Sequence, residues 1–414
     1  MSMTSNFRAS MLAILMALPV AGVTVLSWSE EAFAQATSGG WRKELADKAK
    51  EAQTAGQKGN YSEAIRLLKE AKAKAPLSPQ EEQGINELLI WAASGAKDHK
   101  LVLQTVDERI ATGRVTGADL TRKLRLKATT QYSLRDYRGA AATFDKLATQ
   151  GPLTADDLTL LATSQMQLKD YRTAPATLER AIAANQKAGR AGKNGPLLEM
   201  LNSAYFETNN EAKRMETLHR LMAAAPKASV FKQLASAYEE ESAKDPVVMI
   251  NVYRLGAARG LLSGEHFAKY AETALDLSSP GEAVAMMEKG MAAGAIKKDE
   301  RNNKVLADAK SQVVRVKATL PQQEAEAKAI ATGEPESKLA TAYFTLKNYA
   351  KATEAAQRGV TKGKLKRPDN LNMLLGISLA NSKKTSQARE AFKAAAAANK
   401  KIRGVADLWT LMGG

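Results

Sequence analysis

The sequence predicts an all-α fold assembled from one helix–turn–helix unit repeated along the chain. Helix formers dominate, and aromatic residues make up only 5% of the chain, so strand formers are scarce. Only 12 of 414 residues are Pro, which leaves long stretches free of helix breakers. The third observation is self-similarity. Ala128, Tyr137 and Ala140 return as Ala162, Tyr171 and Ala174, each 34 positions on.

The chain opens on an address. Arg8 precedes an apolar run from Met11 to Trp28, and Ala32-Phe33-Ala34 forms the small-x-small pattern of a leader cleavage site. Residues 1–34 are predicted to be a signal peptide, with the mature chain starting near Gln35. The competing reading is an uncleaved anchor, since such a run can just span a bilayer. Pro19 and Gly22 interrupt it, however, and no basic cluster follows. The expectation is therefore a periplasmic or secreted protein. The absence of Cys suits that compartment. Removing one cation and two anions with the leader raises the net charge from +16 to +17.

The repeats follow in order. A first copy carries Tyr61, Ala64, Leu68, Ala71 and Pro76. Two well-formed copies carry Ala128, Asp136-Tyr137, Ala140, Phe144 and Pro152, then Ala162, Asp170-Tyr171, Ala174, Leu178 and Ala181. Later copies hold Leu201 and Tyr205, Leu234-Ala235 and Tyr238, Leu339-Ala340 and Tyr343, and finally Gly376, Ala388 and Phe392. Small residues at matching positions let paired helices approach closely, and a large residue such as Phe144 fills the gap to the next pair. This pattern resembles the tetratricopeptide repeat. The resemblance implies a right-handed α-solenoid of nine to ten stacked units over residues 35–400, closed by a capping segment at 401–414 with Trp409. The unit near 83–118 is degenerate, Pro246 and extra residues distort the one near 228–260, and residues 300–331 keep only the register. Two stretches, 186–196 and 361–369, read as long inter-repeat loops or weak hinges.

Chemistry is hard to place on this chain. Without Cys there are no thiolate nucleophiles, iron–sulfur clusters or Cys-ligated zinc sites. Phosphate-cradling Gly-rich loops, HExxH and the Gly-x-Ser-x-Gly elbow are missing too. His99, His219 and His266 lie in three different repeats. The expectation is a protein with no enzymatic activity, no cofactor and no metal. An enzyme scaffold of the lytic-transglycosylase type would need a further non-repeat domain, for which residues after 400 are too few.

The resemblance implies a concave groove lined by the first helix of each repeat. Carried over position by position, it assigns Arg125, Thr129, Tyr132, Thr163, Met166, Ser203 and Phe206 to that groove, then Lys232, Ser236, Thr341 and Phe344. Small hydroxyls beside an occasional aromatic suit an extended protein or peptide partner. The Lys and Asn pattern with which chaperone-binding members clamp a C-terminal carboxylate is absent; Arg125/Thr129 stand at those positions in one unit. The groove positions are net acidic, so the positive charge is expected on outer helices and loops. Residues 361–403 hold eleven basic side chains against Asp369 and Glu390. Among them Lys362, Lys364, Lys366, Arg367, Lys400, Lys401 and Arg403 form a candidate basic patch for an anionic polymer or a membrane surface. With no aromatic stacking stripe, nucleic acid is not an expected partner.

Overall fold

The computed structural model describes residues 40–74, 76–241 and 245–412. The expected leader and its cleavage site lie outside the described residues. The described residues form twenty α-helices, two 3₁₀ turns and no strand. The chain divides into two compact units between Glu211 and Ala212.

Unit 1 holds α1 (Lys43–Gln57), α2 (Tyr61–Lys72), α3 (Pro79–Gly95), α4 (His99–Ala111), α5 (Gly117–Ser133), α6 (Tyr137–Ala148), α7 (Ala155–Gln167), α8 (Ala174–Lys187) and α9 (Asn194–Glu207). Consecutive helices pack side by side, so hairpins α1–α2, α3–α4, α5–α6 and α7–α8 stack in order. The degenerate unit near 83–118 is thus an ordinary hairpin, α3–α4.

A repeated backbone device makes the turns. Arg135 N donates to Tyr132 O and Asp136 N to Gln131 O, both at 2.9 Å, while Arg135 takes a left-handed φ of 60°. This is a Schellman ending, which satisfies two orphan carbonyls. It recurs at Gly59, Lys97, Lys169, Asn209, Ser278, Lys347 and Lys383. In five of these turns the residue that follows also serves the next helix. The side chains of Asn60, Asp98, Asp136, Asp170 and Asn348 each accept a backbone N–H three residues on. Asp136 of the first Asp-Tyr pair is therefore an N-cap, favoured because an Asx oxygen fits the first free N–H groups of a helix, whereas Asp170 of the second holds Thr173 in the turn that leads into α8.

Close helix approach follows from the small residues. Ala128, Ala140, Ala162 and Ala174 are fully buried, as are Phe144 and Leu178 at the position that fills the gap between hairpins. Buried carboxylates then link neighbouring hairpins. Glu81 is bound by Arg42, and Asp157 by Arg125, with side-chain exposures of only 3% for each acid. Both acids also close a capping box with Ser78 or Thr154. Such pairs add more to register than to net stability, because desolvation offsets most of the attraction.

Unit 2 holds α10 (Glu211–Ala224), α11 (Ala228–Glu241), α12 (Pro246–Ala258), α13 (His266–Asp276), α14 (Pro280–Ala292), α15 (Glu300–Ala329), α16 (Glu334–Thr345), α17 (Tyr349–Lys362), α18 (Pro368–Asn381), α19 (Thr385–Ala398) and α20 (Arg403–Met412). Two of these are buried all round: Val247–Gly256 of α12 and Leu371–Leu379 of α18 are continuous buried runs. A helix with no polar face belongs at the centre of its domain. α12 is packed by α11, α13 and α20. The chain end thus returns to the early part of its own unit: Trp409 Nε1 donates to Asn251 O at 3.4 Å across 158 positions.

One expectation needs correcting. Residues 300–329 are one unbroken helix, α15, rather than a hairpin, because no Gly, Asn or Asp turn interrupts them; even Pro321 lies inside the helix. The stretches 186–196 and 361–369 contain the connections from α8 to α9 and from α17 to α18, helices that pack on each other across them.

Candidate interaction surface

The expected groove residues of unit 1 sit on α5, α7 and α9, but they do not share one environment. Arg125 and Thr129 are half-buried, as is Phe206. Tyr132, Thr163, Met166 and Ser203 are buried, at 8%, 0%, 2% and 5% exposure. Tyr132 meets the Tyr137 ring edge-on at 5.6 Å, and burial together with Tyr137 pushes its phenol up. These four side chains fill space between helices, so they offer little to a partner. The small residues along these helices permit that close packing.

The hydroxyls are also less free than the sequence implied. Thr129 donates to Arg125 O, Thr163 to Thr159 O, Ser203 to Glu199 O and Thr341 to Ser337 O, at 2.7–3.0 Å. Each spends its proton on the carbonyl one turn back. What remains for a ligand is acceptor capacity on the half-buried Thr129 and Thr341. Arg125 spans hairpins, with Nε 2.9 Å from Asp157 Oδ1 and Nη2 3.0 Å from Oδ2. Beside it on α5, Arg122 is 73% exposed, and Thr159 on α7 is half-buried.

In unit 2, Lys232 is exposed and Ser236 half-buried on α11, and Thr341 is half-buried on α16. Phe344 departs from expectation. It is 5% exposed, its ring covered by the Arg254 guanidinium at 4.8 Å and edged by Tyr349 at 5.6 Å. Arg254 itself is held by Glu282, with Nε 3.0 Å from Oε1 and Nη2 2.7 Å from Oε2. Tyr270 donates to the same carboxylate at 2.6 Å, and burial beside Glu282 drives its phenol well up. This network is packed within unit 2, so Phe344 is core. Sequence reasoning missed Arg254 and Glu282. The available signal was an Arg inside the apolar run of α12, which calls for a buried acid.

The basic patch also divides. Lys362 donates to Ala327 O and, at 3.0 Å, to Ile330 O, capping the end of α15, and it pairs with Glu336 at 3.1 Å. Arg367 binds Asp369 and Asp245. These two are internal struts and not part of a free surface. Lys364, Lys366, Lys400, Lys401 and Arg403 are exposed.

The described residues contain no cluster of three or more His, Asp or Glu arranged to hold a metal, and no helix long and apolar enough to cross a membrane. Each strongly buried acid, such as Glu282 or Glu336, is already bound by a cation.

No protein-family model matches the sequence, and no curated protein matches it either. Several solved structures are similar in part. A tetratricopeptide repeat protein from Parabacteroides merdae aligns with 65% of this chain and 99% of its own, at 15% identity and a TM-score of 0.35. A thermophilic protein of the same repeat class from Thermus thermophilus covers 47% of this chain and 98% of its own, at 13% identity and a TM-score of 0.26. The TPR2AB domain of yeast Sti1, in a complex with an HSP90 peptide, covers 71% and 99%, at 14% identity and a TM-score of 0.25. The stacked-hairpin fold is read from the helices of this chain itself.

Proposed function

We propose that this protein is a non-enzymatic scaffold that binds a protein or peptide partner across α5, α7 and α9, and that it works outside the cytoplasm. One observation carries the binding reading. Arg122, Thr129, Thr159 and Phe206 are accessible, fully or in part, on α5 and α7, the first helices of successive hairpins, and on α9, which packs on α8, and the Arg125–Asp157 pair ties α5 to α7. A surface held in register loses little entropy on binding, which is what a repeat scaffold supplies. Spare hydroxyl acceptors would receive backbone N–H groups of an extended segment, Arg122 would meet an acidic side chain, and Phe206 would pack an apolar one. Export rests on Arg8, the apolar run from Met11 and Ala32-Phe33-Ala34.

The test uses the mature protein purified with its partner from the envelope fraction. Phe206→Ala together with Arg122→Ala should weaken that complex by roughly 1–3 kcal/mol without loss of helical signal. Unchanged affinity would move the contact surface elsewhere. N-terminal sequencing should begin at or near Gln35; an intact Met1 in the membrane fraction would contradict export by cleavage.

A further inference from the structure

We propose that the end of unit 2 where the α17–α18 turn meets the α19–α20 turn binds a linear anionic polymer that is not a nucleic acid through Lys364, Lys366, Lys400, Lys401 and Arg403. The two turns are joined at a single carboxylate. Asp369 accepts from Arg367 Nη2 at 2.7 Å and from Asn399 Nδ2 at 2.8 Å, which brings residues 364–367 beside residues 399–403. The first turn is braced further: Gly333 N donates to Gly363 O at 2.7 Å, and Lys366 N to Glu334 Oε2 at 3.1 Å. The second is fixed by Asn399, whose side chain accepts from Lys401 N at 3.0 Å. The cations therefore stand on rigid backbone.

Their own charges are unspent. Asp369 and Asp245 are taken by Arg367 and Asn399, and Glu336 by Arg358 and Lys362. Among the described residues no salt bridge is made by Lys364, Lys366, Lys400, Lys401 or Arg403. Most lysines in ordinary surfaces are interspersed with acids, whereas here Asp369, Asp245 and Glu336 face other partners, and the remaining neighbour, Glu334, accepts from the Lys366 backbone N–H. Such a cluster concentrates anions.

The apolar residues of the turns favour a polymer over a bilayer. Ile402 is fully buried, and Leu365 packs half-buried against Gly333. Within residues 363–367 and 399–403 no large apolar side chain is exposed to enter a lipid interface, and interfacial binding draws on such burial as well as charge. Residues 363–367 and 399–403 contain no aromatic ring, so nucleotide bases have nothing to stack on. This inference is independent of the partner surface on unit 1, which involves none of these residues.

The probe is sodium polygalacturonate, with phosphatidylglycerol vesicles in parallel, across a salt series. One variant carries Lys364→Asn, Lys366→Gln, Lys400→Gln, Lys401→Gln and Arg403→Gln; Asn suits the left-handed φ of 52° at position 364. The charge-matched control carries Lys50→Gln, Lys58→Gln, Lys69→Gln, Lys146→Gln and Lys187→Gln, all exposed in unit 1. Wild type should bind the polymer at low salt and lose it steeply as the screening length falls toward about 8 Å. The turn variant should bind at least about ten-fold more weakly, a loss of about 1.4 kcal/mol, with unchanged thermal unfolding. The control should stay within about two-fold. Three results would each overturn the proposal: no polymer binding by wild type, equal loss in both variants, or binding to vesicles alone.

Discussion

Arg367 holds Asp245 from 122 positions further along the chain, two guanidinium nitrogens lying 3.2 Å from the two carboxylate oxygens. Asp245 is also the N-cap of α12, accepting from Val247 N at 2.9 Å, while Arg367 immediately precedes α18. The starts of the two fully buried helices of unit 2 are thereby joined. Trp409 does the same at the other end of the chain, reaching α12 and stacking on Phe392 at 5.7 Å.

Closure of unit 2 should therefore depend on its last helix. Trp409→Ala is expected to cost about 3–5 kcal/mol, as for a large buried aromatic. Hydrogen exchange should speed up in α12 and α19 and stay unchanged in α5 and α7 of unit 1. Equal protection in α12 before and after the change would show that α20 is dispensable.

His219 gives unit 2 an acid-sensitive contact. Its Nε2 lies 2.8 Å from Tyr238 Oη, and Gly404 of α20 sits against the His219 ring and the Tyr238 hydroxyl. Burial lowers its pKa from 6.5 to about 4. The unfolded chain then binds the proton more readily, so stability falls as pH drops from about 6.5 to 4 and levels off below. The loss is at most about 3 kcal/mol at 1.36 kcal/mol per unit. Urea midpoints from pH 7 to 4 should show this slope, and His219→Phe should flatten it. An equal slope in the variant would assign the acid sensitivity to other groups.

Gly281 marks a close crossing of α14 and α16. Its N–H donates to Thr345 Oγ1 at 2.7 Å, and a Cβ there would lie 2.1 Å from Thr345 O. Because that neighbour is backbone, Gly281→Ala should destabilise by about 1–3 kcal/mol through overpacking. Gly192→Ala, with open space around it, serves as the control and should be near neutral. Matching denaturation midpoints for the two would refute the crossing.

The hairpins were readable because their signals are local. Asp136-Tyr137 names a cap, Ala128 with Ala140 a close crossing, and Phe144 a filler, and all three recur within one period. The single helix α15 was hidden, since a missing turn leaves the 34-residue register intact. Closure of unit 2 was hidden for another reason. Asp245 with Arg367, and Asn251 with Trp409, are pairings across more than a hundred residues, and no period announces them. For the candidate groove residues, position in the repeat named the helices that carry them but not their exposure: Arg125, Thr129 and Phe206 are half-buried, while tight packing of neighbouring helices covers Tyr132, Thr163, Met166 and Ser203. In the same way Phe344 became core because Arg254, from an apolar stretch, lies over it. Lys362 and Arg367 looked like free surface charge because their acceptors, the Ala327 carbonyl and Asp245, are remote in sequence.

The most direct test of the account is site-specific photo-crosslinking in the cells that make this protein. A photoreactive residue is placed in turn at Arg122, Thr159 and Phe206 on α5, α7 and α9, and at the exposed Lys146 and Lys187 on α6 and α8. The account predicts that the first three positions capture the same protein, identified by mass spectrometry, and that the two on α6 and α8 do not. Capture of that protein equally from α6 and α8, or of nothing from α5, α7 and α9, would contradict a partner bound across α5, α7 and α9.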